Sequence, residues 1–127
     1  GGVREARLFV GRRTWVSVAA HSDEDVRRAV ADGADAVLVS PIFSTRSPSF
    51  PPCGTEKEGR GLEALRRART LAGRSVAVFA LGGVTPERTR GCAAAGADGV
   101  AVMKALLACP APAPIAAAFH GALVSRW

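Results

Sequence analysis

Three stretches of this 127-residue chain carry groups suited to chemistry. In "VAAHS" (18–22), His21 follows an apolar run and precedes a helix start at Ser22. Imidazole is the side chain that titrates near neutral pH, so it suits the movement of a proton. In "LGGVT" (81–85), Gly82 and Gly83 lead into another helix start. Backbone N–H groups there can approach a phosphate closely, and the helix dipole favours its charge. The third stretch, "SPIFSTRSPSFPPCGTEKEGRG" (40–61), is rich in Ser, Thr and Pro and has the character of a substrate-covering loop. Plainer readings stand beside the first two. His21 could hydrogen-bond locally at a helix N-terminus, and the glycine pair could form a tight turn without a ligand.

The elements that position these groups are legible from hydrophobic pattern. Four short runs, "TWVSVAA" (14–20), "DAVLVS" (35–40), "SVAVFAL" (75–81) and "DGVAVM" (98–103), are nearly continuous in apolar character. That is expected of parallel strands covered on both faces. Helix signals lie between them. Ser22 with Asp25 makes a capping-box-like start, Val26, Ala29 and Val30 share a face, and Gly33 supplies the stop. Thr85-Pro86-Glu87 starts a second helix, with an N-cap hydroxyl, that stops at Gly96. Residues 61–73 carry apolar positions at helical spacing, and 113–127 reads as a closing amphipathic helix. The resulting alternation predicts an α/β fold of parallel βα units, with ligands at the carboxyl ends of the strands. Two phrases, "AVADGADAVLVS" (29–40) and "AAAGADGVAVMK" (93–104), repeat a helix stop leading into a strand. In this reading Gly ends the helix, Ala permits close packing and Asp opens the turn. Asp35 and Asp98 then lie at the face opposite the ligand and receive no catalytic role.

Composition narrows the classes. The net charge of +6 and pI near 10.6 invite a nucleic-acid partner. The basic residues, however, are mostly Arg scattered through helical segments; Tyr is absent, and no DNA-binding motif spacing occurs. The bias suits attraction of small anions instead. Cys53, Cys92 and Cys109 are widely spaced without a C-x-x-C pair, which supports neither a disulfide framework nor a metal knuckle. No run of about 18 apolar residues suggests a membrane span. The expectation is a cytoplasmic protein with no nucleic-acid or membrane partner and no metal ligands of its own.

Taken in order, "VAAHS", "DGADAVLVSPIFSTRS", "GRGLEALR", "ALGGVTPE" and "AAGADGVAVMKAL" resemble the thiamine phosphate synthase and TenI (thiazole tautomerase) superfamily. The resemblance runs over nearly all of 14–120 and implies a TIM-type (βα)8 barrel. The matched motifs look like its fifth to eighth strands, so residues 1–127 would be a single domain equivalent to the C-terminal half. A barrel of that type takes about 200 residues or more. Either an N-terminal half lies outside this sequence, or the chain completes itself as a homo-oligomer.

The resemblance also implies site residues. It puts a thiazole phosphate among Gly82, Gly83, Met103 and Lys104, with Lys104 standing where the family usually has Ser. The family's Thr-x-Thr-Lys loop motif falls on Thr45-Arg46-Ser47-Pro48, so Thr45 and Ser47 match in kind while Pro48 replaces the lysine. Arg46 is a candidate for the missing charge. A serine expected in the first motif falls at Ala19. The family's Mg²⁺-binding aspartates and pyrimidine-binding asparagine belong to earlier strands, so ligands for Mg²⁺ would lie outside this sequence. His21 matches a histidine that looks like the proton shuttle of the tautomerases and is often shared by the synthases.

The first functional expectation is therefore synthase-like. A pyrimidinylmethyl diphosphate is joined to a thiazole phosphate, and diphosphate is released. The second is the TenI-type proton transfer that aromatises a thiazole phosphate carboxylate. The third is a non-catalytic, truncated homologue that binds a phosphorylated small molecule.

Overall fold

A computed structural model of the chain describes residues 2–46 and 56–124. Its elements are α1 (Val3–Val10), β1 (Ser17–Ala20), α2 (Asp23–Ala31), β2 (Ala36–Val39), β3 (Thr45–Arg46) and β4 (Glu56–Lys57). Then come α3 (Gly61–Ala72), β5 (Ala77–Leu81), α4 (Pro86–Ala94), β6 (Gly99–Ala101), α5 (Lys104–Leu107) and α6 (Pro112–Val124). All four apolar runs are strands of one parallel sheet in the order β1-β2-β5-β6. A strictly sequential order with helical crossovers is the winding of a βα barrel. A doubly wound sheet would reverse direction partway.

The register explains which side chains form the core. Val18 pairs with Val37 and Val37 with Val78, while Ala20 pairs with Val39 and Val39 with Ala80. These two rows face the helices and pack with Val26, Ala29, Ala64, Leu65 and Ala68. The intervening row, Ala19, Leu38 and Phe79, lies on the other face and is only partly covered. Trp15 stands over that face, edge-on to Phe79 at 6.2 Å, and is 62% exposed. An apolar sheet face in this state is the interior wall of an unclosed barrel.

The repeated Gly-Ala-Asp phrase belongs to a longer structural repeat. On α1, the Arg7 guanidinium donates to the carbonyls of Gly11 and Thr14 and pairs with Asp35, whose carboxylate accepts the Val16 N–H at 2.7 Å. On α3, Arg69 donates to the carbonyls of Gly73 and Val76 and pairs with Asp98 at 2.7 Å; Asp98 accepts the Val78 N–H at 2.8 Å. Each aspartate thus clamps the start of the preceding strand to a helix arginine. That role corrects the reading of it as a turn opener. The Val16 N–H, then the Arg7 guanidinium, hold the Asp35 carboxyl below the usual carboxylate range.

Four features depart from the sequence reading. Helix α1 was not expected, and neither was the two-stranded ladder of β3 with β4, which pairs Thr45 with Lys57. The short α5, which Lys104 begins, was not expected either. The closing helix α6 is not amphipathic: it is apolar almost all round, and among its described side chains Phe119 alone is buried. At the helix starts, the Ser22 hydroxyl accepts the Asp25 N–H at 3.1 Å as expected. Thr85 holds the N-cap position of α4, but its side chain makes no capping bond to the backbone.

Candidate functional site

The carboxyl ends of the strands open into one cleft of about 610 Å³. Its floor is built from three backbone segments stitched together. Ile42 donates its N–H to the Leu81 carbonyl at 2.9 Å, and Phe43 to the Gly82 carbonyl at 3.1 Å. From the other side, Arg60 and Gly61 donate to the carbonyls of Pro41 and Ile42, both at 2.8 Å. The base of the long loop is therefore fixed between β5 and the start of α3.

The glycine pair is what permits this packing. Gly82 and Gly83 have φ of +98° and +61°, and a Cβ on Gly83 would lie 2.8 Å from the Phe43 Cβ. The pair thus serves the turn and the close approach of 41–44, besides facing the cleft. Arg88, in the first turn of α4, donates to the Gly83 carbonyl at 2.9 Å, and its guanidinium carbon lies 4.6 Å from the centroid of the Phe43 ring.

His21 stands at the other side. Its backbone N–H donates to the Asp25 carboxylate at 2.9 Å. That bond is the largest influence holding the Asp25 carboxyl below its ordinary range, followed by the Ser22 hydroxyl. The ring Nδ1 lies 3.1 Å from the Ser40 carbonyl oxygen and 3.2 Å from its Oγ.

The structure brings His21, Thr45, Gly82, Gly83, Met103 and Lys104 together on this one cleft. Ser47 and Pro48 lie outside the described residues, as does Cys53, and the Arg46 side chain is likewise not described. Sequence reasoning missed Ser40, Lys57 and Arg88, which also line the cleft. Arg88 had a signal, since the first turn of a helix that follows a strand points back toward the strand's end. Lys57 had none. It reaches the cleft because the β3–β4 ladder sets it opposite Thr45, twelve positions away in sequence.

Charge at the cleft is one-sided. Lys57, Arg88 and Lys104 line it, and among the described residues no carboxylate does. Such a site attracts a small anion and repels nothing but cations. Among the described residues, no three His, Cys, Asp or Glu side chains converge as a metal site. No helix among them is long and apolar enough to cross a membrane.

Comparison with known proteins agrees with this geometry. The sequence model of the family described as thiamine monophosphate synthase matches residues 1–106. A thiamine-phosphate synthase from Geobacillus thermodenitrificans is 39% identical over 120 residues, covering 94% of this chain and 51% of that protein. One from Halorhodospira halophila is 39% identical over 128 residues, covering 100% of this chain and 56% of the relative. The chain thus spans about half the length of the curated relatives it matches. The solved thiamine phosphate pyrophosphorylase from Pyrococcus furiosus superposes with a TM-score of 0.81 at 20% identity, covering 98% of this chain and 55% of that one. That likeness shows the fold, a TIM-barrel type of which four parallel strands are present here.

Proposed function

Because this chain belongs to the thiamine monophosphate synthase family, we propose that its cleft binds a thiazole phosphate for a thiamine phosphate synthase-like reaction. The observation that carries the reading is the convergence of Lys57, Arg88 and Lys104 beside the Gly82–Gly83 turn, with His21 and Thr45 on the same cleft and no carboxylate among its described lining residues. The phosphate of the thiazole sits against the cations and the turn, and the ring points toward His21. Lys57 supplies a positive charge in place of the lysine that Pro48 replaces in the loop motif, since its pairing with Thr45 sets it on the cleft. In the reaction the thiazole nitrogen forms a bond to the methylene carbon of the pyrimidine. The bond from that carbon to the diphosphate oxygen breaks, and diphosphate leaves with the electron pair. The cations steady the anions on both sides of this exchange.

Mg²⁺, which the resemblance allows, does not fit the described residues of the cleft, because none of them is a carboxylate.

The pyrimidine side requires four further strands, which close the barrel over the partly covered row of Ala19, Leu38 and Phe79. Helix positions favour a complementary module over a second copy of this chain. Helix α6 already packs on α4 as α3 packs on α2, so the α1 of a second copy would meet an occupied place. A module that begins and ends on strands meets no such conflict. The active form in this reading joins the two modules, in one polypeptide or two.

The tautomerase reading keeps one observation in its favour, the anchored ring of His21, which synthase chemistry does not need. Turnover separates the two. The chain is combined with the N-terminal four strands of a curated relative and given both synthase substrates with Mg²⁺ and, in a separate assay, the non-aromatic thiazole phosphate carboxylate. Formation of thiamine phosphate supports the first reading. Conversion of only the thiazole phosphate carboxylate supports the second, and loss of neither substrate overturns both.

A further inference from the structure

The three cations of the cleft are not held alike. Among the described residues, the side chains of Lys57 and Lys104 make no hydrogen bond or ion pair, so each ammonium moves on a flexible stem. Arg88 is held on two sides. Its Nη1 donates to the Gly83 carbonyl at 2.9 Å, and its guanidinium carbon lies 4.6 Å from the centroid of the Phe43 ring. Both partners are neutral, so they orient the guanidinium without cancelling its charge. Arg7, Arg60 and Arg69, by contrast, are each paired with an aspartate. Nε and Nη2 of Arg88 have no acceptor among the described residues, and the side chain is exposed on the cleft. That edge of a guanidinium is a fork that matches two oxygens of one phosphate. Phe43 is itself not one of the cleft's lining residues. Its N–H donates to the Gly82 carbonyl at 3.1 Å, and its side chain packs, partly buried, against the core.

We infer that Phe43 is a positioning residue, whose ring holds Arg88 as a preformed fork for a phosphate monoester beside the Gly82–Gly83 turn. The inference rests on the reading of the cleft as a thiazole phosphate site. Arg88 meets two phosphate oxygens through Nε and Nη2, while Phe43 acts only through Arg88. A guanidinium ordered in advance gives up less rotamer freedom when the anion binds. Arg88 therefore sets where the phosphate sits, and the two lysines add charge around it.

Calorimetric titration of the 127-residue chain with thiazole phosphate, and with the unphosphorylated thiazole, tests this. Phe43→Leu keeps a Cβ beside Gly83, an apolar side chain and every charge, and removes the ring. It should weaken thiazole phosphate by about fivefold, the worth of one cation–π contact, and leave the unphosphorylated thiazole unchanged. Phe43→Tyr keeps a ring and should bind as the unaltered chain does. A double-mutant cycle then separates positioning from packing. In an Arg88→Gln background Phe43→Leu should have no further effect, whereas a purely structural Phe43 would cost the same in both backgrounds. If Phe43→Leu does not fold, a ring-fluorinated phenylalanine at position 43 replaces it. Fluorine keeps the shape and drains the negative ring face, so it should weaken the phosphorylated ligand alone. An undiminished affinity for thiazole phosphate without the ring's electron density, or equal losses with and without Arg88, overturns the inference and leaves the phosphate site standing. Equal binding of the two thiazoles by the unaltered chain overturns the phosphate reading, and the inference with it.

Discussion

Replacing Gly83 by alanine should damage the fold more than the same change at Gly33, and the difference measures how tightly the cleft floor is packed. Both glycines have positive φ, +61° and +84°, so both substitutions force an L-residue into left-handed backbone. That alone costs about 1 kcal/mol, at the lower end of the usual range. At Gly33 nothing lies within 4 Å of the new Cβ, so the expected loss stops there. At Gly83 the new Cβ would sit 2.8 Å from the Phe43 Cβ and 3.0 Å from the Ser44 carbonyl oxygen. The second of these is backbone and cannot swing aside. Relief requires segment 41–44 to move away from β5, which weakens the bonds from Ile42 to Leu81 and from Phe43 to Gly82. Each is worth about 1 kcal/mol net. The total for Gly83→Ala is then about 2–3 kcal/mol, against about 1 for Gly33→Ala. Urea unfolding followed by circular dichroism reads both, with stability taken from the midpoint at unchanged slope. A difference between the two variants below about 0.5 kcal/mol, less than the net worth of one hydrogen bond, would refute the stitched floor.

Two further outcomes follow from the clamps and caps. Asp35 has its carboxyl held below the ordinary aspartate value, so the stability it adds is fully present above that ordinary value and is lost as pH falls through the lowered folded value. Acid titration of unfolding should therefore show a shallower loss below the ordinary aspartate range in Asp35→Asn than in the unaltered chain; parallel curves would contradict the clamp. Ser22→Ala removes the bond to the Asp25 N–H and should cost about 1 kcal/mol in urea unfolding, where no change would show the cap to be idle.

Much of the architecture was legible in the sequence because parallel strands buried between helices announce themselves as short apolar runs. The glycine stops and the Ser22 cap then fixed the helices between them. Local pattern could not reveal β3 and β4, whose two-residue ladder depends on a pairing between distant positions. Lys57 was hidden for the same reason. Helix α1 escaped because only Val3 of its apolar residues is buried while Leu8, Phe9 and Val10 are exposed, so its apolar positions do not mark a covered face. The Gly-Ala-Asp phrase was visible as a repeat, but its arginine partners sit on other helices, and only the fold brings Arg7 to Asp35 and Arg69 to Asp98. The chemistry of His21 was half legible. Its place after a strand could be read, while the Ser40 carbonyl that orients it belongs to the neighbouring strand's end.

The central claim is that Lys57 and Lys104 make the cleft a site for the phosphate of a thiazole phosphate. Calorimetric titration of the chain with thiazole phosphate, and with the same thiazole lacking its phosphate, tests it most directly. The account predicts that the phosphorylated ligand binds at least about tenfold more tightly, a difference of about 1.4 kcal/mol, and that rising salt narrows the gap. A Lys57→Gln, Lys104→Gln double variant should lose most of that preference while its urea midpoint stays unchanged. Equal affinity for the two ligands, or an undiminished preference in the double variant, would contradict it.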